Sequence, residues 1–194
     1  MKKTITAGDI LSPEAYEKIR NEKRHATMEI KRNRRVSVGP YATFYFENYD
    51  TMWLQIHEML RIEKGGAEQL RDELAAYNPL IPNGTELVAT VMLEIEDPVR
   101  RATILAKLGG IETKMQFKIG NEIVHGIPEK DLEYTSPEGK ASSVQFVHFH
   151  FTSAQILAFR HADTEATLGI MHPEYSHIAV LPTAVRVELL KDFT

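Results

Sequence analysis

The chain contains no cysteine. That absence excludes a disulfide scaffold, a thiolate nucleophile and an iron–sulfur cluster held by cysteines alone. Any redox role therefore needs a bound cofactor, a metal held by histidine and carboxylate, or a partner protein. No run approaches the roughly 18 apolar residues that span a bilayer, and the opening residues lack the apolar core of a signal peptide. These absences predict a cytoplasmic protein with no membrane association. There is no excess of positive charge either: the formal net charge is −4, which gives no global attraction to nucleic acid. The GxSxG elbow, the P-loop and the GxGxxG fingerprint are all missing, and no internal repeat is visible.

What is present is ordinary for a globular protein. With 194 residues, 43% hydrophobic and 26% charged, the chain can bury a real core. It is read as one domain, 1–194, with any division into two lobes falling near 80–86 or 128–140. Ser12-Pro13-Glu14 opens a helix by the rule of capping hydroxyl, proline at N1 and acid in the first turn, and the helix runs to about Lys31. Residues 34–38 and 41–47 read as strands separated by Gly39-Pro40. Asp50 is placed to cap a central helix over 50–64, Gly65-Gly66 closes it, and a second helix follows over 68–77. Pro79 and Pro82 predict an extended link. Leu87, Ala89, Val91, Leu93 and Ile95 then alternate as a strand. Asp97-Pro98 opens a helix that Gly109-Gly110 ends, and 112–119 with 122–124 flank Gly120-Asn121 as a hairpin. This strand–helix–strand run suggests a split βαβ unit. A polar, turn-rich loop covers 128–140. A strand at 143–151, a helix at 153–161, short strands at 166–171 and 178–180 and a helix from Pro182 complete the chain. The expected class is α+β: a mixed or antiparallel sheet packed with an N-terminal helix, a central helical hairpin and shorter C-terminal helices.

The central helix holds the charge hardest to explain. At about 100° per residue, Met52, Trp53, Ile56, Met59 and Leu60 form an apolar stripe, and Glu63 falls near its middle. A carboxylate there must find a partner, shift its pKa, or escape to solvent beside Gly65. His57 and Arg61 are four residues apart and Glu58 and Arg61 three apart, so both pairs can meet on one flank. Glu63, Glu58, Arg61 and His57 are therefore the candidate catalytic residues. No Glu-x-x-His pair occurs in this hairpin, which counts against a di-iron bundle.

Histidines supply the candidate metal ligands. His148 and His150 share one face of a strand, and His172 and His177 bracket Pro173-Glu174-Tyr175 in a turn. If the turn packs over the strand, three or four imidazoles converge on a transition metal, with iron, zinc and manganese the candidates. No compact ligand spacing enforces that convergence, and half-buried strand histidines with a backbone-bonded turn histidine are the plain alternative. Cations cluster near the N-terminus at Lys18, Arg20, Lys23, Arg24, Arg32, Arg34 and Arg35. Arg34 and Arg35 are the candidates for holding an anionic cofactor, although a solvated face is the commoner outcome for such a cluster. A local basic patch on a negative chain fits a protein partner better than a nucleic-acid duplex.

Four blocks of residues carry a resemblance over nearly the whole chain. They are Asn33-Arg34-Arg35-Val36 with Gly39-Pro40, Glu58-Met59-Leu60-Arg61 with Glu63, Tyr77-Asn78-Pro79-Leu80-Ile81-Pro82, and His172-Pro173 with Tyr175 and His177. Together they resemble an uncharacterised bacterial and archaeal family, a domain of unknown function, and they imply no particular activity. Genes of that family often neighbour rubrerythrin-like proteins and Fe–S oxidoreductases, which implies, by association, a role near peroxide defence or redox metabolism. The resemblance also implies that positions matching His148 and His150 need not be histidine, which weighs against those two as ligands and less against His172 and His177. Two readings result. One is an accessory protein docking on a rubrerythrin-like or Fe–S partner through its basic N-terminal region and central helix. The other is a small His/carboxylate metalloenzyme, redox or hydrolytic, built on Glu63 and the C-terminal histidines.

Overall fold

The structure, a computed structural model, describes residues 2–130 and 132–194. Helix α1 (Pro13–Arg32) starts as expected, with the Ser12 hydroxyl accepting from the Ala15 amide and Pro13 at N1. Strands β1 (Arg35–Val38) and β2 (Ala42–Phe46) follow, then α2 (Tyr49–Glu63) and α3 (Gly66–Tyr77). Asp50 does not cap α2. That place belongs to Asn48, which exchanges hydrogen bonds with Thr51 in a capping box, and Asp50 sits inside the first turn. Residues Asn78–Leu80 form a 3₁₀ turn where an extended link was expected. The Asn78 amide side chain holds that turn against the N-terminal segment by bonding both the N–H and the C=O of Ile5.

Then come β3 (Glu86–Leu93), α4 (Pro98–Leu105), the hairpin β4 (Met115–Ile119) and β5 (Glu122–Pro128), and β6 (Val144–His150). Helix α5 (Ser153–Arg160), the hairpin β7 (Ala166–His172) and β8 (Tyr175–Val180), and α6 (Thr183–Leu189) complete the fold. Among the described residues no helix is long and apolar enough to cross a membrane.

The eight strands among the described residues join one sheet in the order β1-β2-β3-β6-β5-β4-β7-β8, and every pairing is antiparallel. The class is therefore α+β with an antiparallel sheet. The split βαβ unit is absent, because β6 and β5 lie between β3 and β4 and leave those two strands antiparallel. Strands from both sides of residues 80–86 and 128–140 share the sheet. The sheet curls until its edge strands β1 and β8 lie side by side, giving a nearly closed barrel.

Burial in two layers follows from the alternation of strand side chains. One set, including Phe44, Phe46, Leu87, Ala89, Val91, Phe117, Val147 and Phe149, points into the barrel, where Phe159 of α5 and Val185 and Leu189 of α6 join it. The opposite face of β3 is covered too: Val88 packs with Met52 and Ile56 of α2, Leu80, Ile81 and Ile5. Covered on both sides, β3 is the strand with the longest run of buried residues. Strand β5 changes partner along its length, pairing with β4 through Glu122–His125 and with β6 through Gly126–Pro128. At the changeover, a Cβ on Gly126 would meet Val147, Phe149 and the Met115 carbonyl, so the crossing requires glycine.

The edge strands are joined by a side chain. The Tyr175 phenol donates to the Val38 carbonyl at 2.7 Å and accepts from the Tyr41 and Ala42 amides, each at 2.9 Å. These bonds tie β8 to the turn between β1 and β2. Gly39 in that turn has φ of +70°, and a Cβ there would overlap the His177 ring. Its left-handed backbone and the ring packed on it both require the missing side chain.

Candidate metal centre

One group of metal-ligating side chains gathers on the outer face of β3 and β6. Because Val147 and Phe149 point into the barrel, His148 and His150 point outward. The antiparallel register sets His150 opposite Glu86 and His148 opposite Val88. The Glu86 Oε2 atom lies 3.0 Å from Nδ1 of His148 and 3.2 Å from Nδ1 of His150. One ligand atom from each of the three residues lies within 4.8 Å of the others. Donors each about 2.1 Å from an ion are about 3.0 Å apart at a right angle and about 3.4 Å apart at the tetrahedral angle, so both separations that meet at Glu86 are compatible with a shared ion.

The centre is dry on one side and open on the other. Glu86 is 4% exposed, whereas the His150 side chain is 52% exposed. The far nitrogen of His148, Nε2, is 2.7 Å from Glu129 Oε2. Burial lowers the pKa of His148, but the hydrogen bonds and charges of Glu86 and Glu129 outweigh it and leave a net upward shift. Without an ion, both ring nitrogens of His148 lie within hydrogen-bond distance of a carboxylate. With an ion, the proton on Nδ1 is what a metal would displace.

The other expected ligands lie elsewhere. His172 and His177 belong to β7 and β8, and the β5 and β4 strands separate them from β6. The expected convergence of three or four imidazoles therefore does not occur. His172 and Tyr175 pair at the end of the β7–β8 hairpin, so the turn between them is only Pro173-Glu174. His172 is satisfied at both nitrogens: Nε2–H donates to the Gly109 carbonyl and Nδ1 accepts from the Glu174 amide, each at 3.2 Å. His177 packs edge-on against Tyr175 at the barrel seam.

The central helix also has a structural explanation. Glu63 does not face the core; it is exposed in the last turn of α2 and accepts from the Gln69 amide at 3.1 Å. The stripe ends before it, since Met52 and Ile56 are buried whereas Ile62 is 67% exposed. The expected pairs within α2 are replaced by pairs reaching to α1. Glu58 accepts from Tyr16 Oη at 2.6 Å and from Arg20 at 2.8 and 2.9 Å, and Arg61 binds Glu17 at 2.8 Å. His57 is buried, and that burial chiefly lowers its pKa. It is held as neutral imidazole, with Nδ1–H on the Trp53 carbonyl and Nε2 accepting from the Leu11 amide. A groove of about 1010 Å³ between α1, α2 and α3 is lined by Tyr16, His57, Leu60, Arg61 and Leu70 among others. His57 and Arg61 there already have partners, and Glu86, His148 and His150 do not line the groove.

Glu58 carries a pH dependence. Arg20, acting first through its hydrogen bonds and supported by Tyr16, holds the carboxyl down at about 2 against an ordinary 4.5, although burial opposes the shift. Its stabilising contribution is thus present above pH 4.5 and is lost as pH falls toward 2. Glu58→Gln should cost about 1–3 kcal/mol at neutral pH and flatten the stability curve across that acid window. Urea denaturation from pH 2 to 7 measures both effects, and an unchanged acid slope would contradict the assignment.

Arg34 is not a surface cation. Its side chain is 0% exposed and donates to the Phe46 and Glu47 carbonyls and to Asp192, with Glu188 3.5 Å away. It is therefore not accessible to an anionic cofactor. Arg35, at the start of β1, is exposed.

Glu86 and Glu129 were missed in the sequence. The visible signal for Glu86 was an acid at the start of the alternating strand, out of phase with Leu87, together with two histidines in alternation on a later strand. Joining them requires the β3–β6 pairing, across 62 residues of sequence. Glu129 sits in a segment that reads only as turn-rich loop.

The molecule is thus a helix-covered, nearly closed antiparallel barrel bearing a two-histidine, one-carboxylate cluster. Residues 4–193 match the family described as "Protein of unknown function (DUF3501)", and the chain belongs to that family. It is similar to a crystal structure titled as a novel protein of unknown function from Burkholderia pseudomallei K96243. The two are 34% identical with a TM-score of 0.90, over 98% of this chain and 100% of that one. No protein of curated function matches the chain.

Proposed function

We propose that this protein is a metal-binding protein whose centre is Glu86, His148 and His150, holding iron, zinc or manganese in its divalent state. The observation that carries the reading is the placement of one buried carboxylate oxygen within 3.0 and 3.2 Å of two imidazole Nδ1 atoms. Three protein ligands leave positions for water or a substrate, and a two-histidine, one-carboxylate set with open positions suits non-haem Fe(II) in particular. This supports a small redox or hydrolytic metalloenzyme. The resemblance implied that positions 148 and 150 vary in the family, so the centre would belong to this chain and to those relatives that keep both histidines.

The test is metal titration of the full chain prepared without a histidine tag. One equivalent of Fe(II), Zn(II) or Mn(II) should bind, and Glu86→Ala or His148→Ala should weaken that binding at least 100-fold, in line with a lost ligand. A well-folded chain that takes up none of the three at saturating concentration would sink the proposal. The docking reading, which the family resemblance supplies through its rubrerythrin-like and Fe–S neighbours, would rest on the exposed Arg32 and Arg35 and the outer side chains of α1 rather than on Arg34.

A further inference from the structure

We infer that Glu129 is a positioning residue for this centre: it accepts the hydrogen bond from the Nε2–H of His148 and thereby aims the Nδ1 lone pair at the ion. The inference rests on the metal-binding reading and adds which side of the ring the ion occupies.

The two nitrogens of an imidazole face away from each other, and a neutral ring carries one N–H. Glu86 stands at Nδ1 and Glu129 at Nε2, at 3.0 and 2.7 Å. One ion therefore cannot bind both carboxylates through this ring. Among the described residues no third ligand joins His148 and Glu129 on the Nε2 side, whereas on the Nδ1 side Glu86 and His150 converge with His148. An ionised Glu129 is only an acceptor, so it retains the proton on Nε2 and leaves Nδ1 free to ligate. Metal-bound histidines commonly have such a carboxylate behind them, and losing it weakens metal binding by about 10–100-fold.

Glu129 is anchored for this task. Its amide donates to the Phe146 carbonyl at 2.9 Å, extending the β5–β6 pairing by one residue. Its second carboxylate oxygen accepts from the Lys130 amide, also at 2.9 Å. The carboxylate is thus set by the strand beside His148.

Cobalt(II) is the probe, used on the full-length, untagged chain. Affinity is read by competition titration. The exchangeable ring N–H protons of the ligating histidines are read as paramagnetically shifted proton resonances. The wild type should bind one Co(II) and show one slowly exchanging ring N–H, that of His148 held on Glu129. Glu129→Gln and Glu129→Ala should weaken binding about 10–100-fold and speed the exchange of that proton, a change that a merely structural role would not produce. Both variants are needed, so that a folding defect in one leaves the other to decide. Tight Co(II) binding in both variants with unchanged exchange would overturn the role of Glu129 and leave the metal site standing. No binding by the wild type would overturn both. Binding that survives Glu86→Ala but not Glu129→Ala would put the ion on the Nε2 side and overturn this inference.

Discussion

Replacing Arg34 by methionine is expected to destabilise the chain by about 3–5 kcal/mol, and adding Asp192→Leu should recover the part of that loss due to the stranded carboxylate. Both side chains are 0% exposed, so removing the guanidinium alone strands a buried carboxylate. It also unpairs the Phe46 and Glu47 carbonyls at the end of β2. Removing both charges in favour of apolar side chains removes the stranded ion, which is why a double replacement of a buried pair is often close to neutral. The pair also joins distant parts of the chain: Arg34 precedes β1, and Asp192 lies in the last 3₁₀ turn, 158 residues away. Urea denaturation of the single and double variants measures both effects. A cost below about 1 kcal/mol for Arg34→Met would place the residue in the range of a surface ion pair and contradict its burial. The same geometry makes Arg34 a poor choice for any experiment on surface docking, since neutralising it would report on folding.

Tyr175→Phe is expected to cost about 2–4 kcal/mol and to loosen the barrel seam selectively. The substitution keeps the ring, which is 4% exposed and packs against His177, and removes only the hydroxyl. That hydroxyl serves one carbonyl and two amides in the turn between β1 and β2. Its loss leaves backbone groups unpaired where β1 and β8 have no ladder of their own. Amide hydrogen exchange should accelerate at Tyr41 and Ala42 well before it changes at the centre of β3. Uniform acceleration across the sheet, or none, would show that the phenol does not clasp the seam.

The residues that carry the family resemblance therefore largely hold the fold. Arg34 ties β1 to the C-terminus, Gly39 and Tyr175 close the seam, Glu58 binds α1 to α2, Asn78 fixes the N-terminal segment, and His172 staples its own turn. This explains how the resemblance could identify a structure over nearly the whole chain without implying a reaction. The candidate metal ligands and the Glu129 carboxylate behind them lie outside those blocks. They sit on β3 and β6 and in the segment after β5.

Local order was legible in the sequence because its causes are local. Ser12-Pro13 started α1, alternation located β3 and β6, and Gly120-Asn121 turned the β4–β5 hairpin. Periodicity also located α2 but misread Glu63, because an apolar stripe projected beyond the last buried turn still looks continuous when the residue is in fact exposed. The cap of α2 was misassigned to Asp50, because Asn48, two residues earlier, caps equally well by residue type and takes that place in the structure. The absence of cysteine restricted any metal to histidine and carboxylate, and the alternation of His148 and His150 placed two donors on one face. Which carboxylate joined them depended on strand order. Pairing β3 with β6 put Glu86 between the two imidazoles, while inserting β5 and β4 carried His172 and His177 away to the seam. Strand pairing across 62 residues leaves no periodic trace in the sequence, so only the tertiary structure could choose the partners of those histidines.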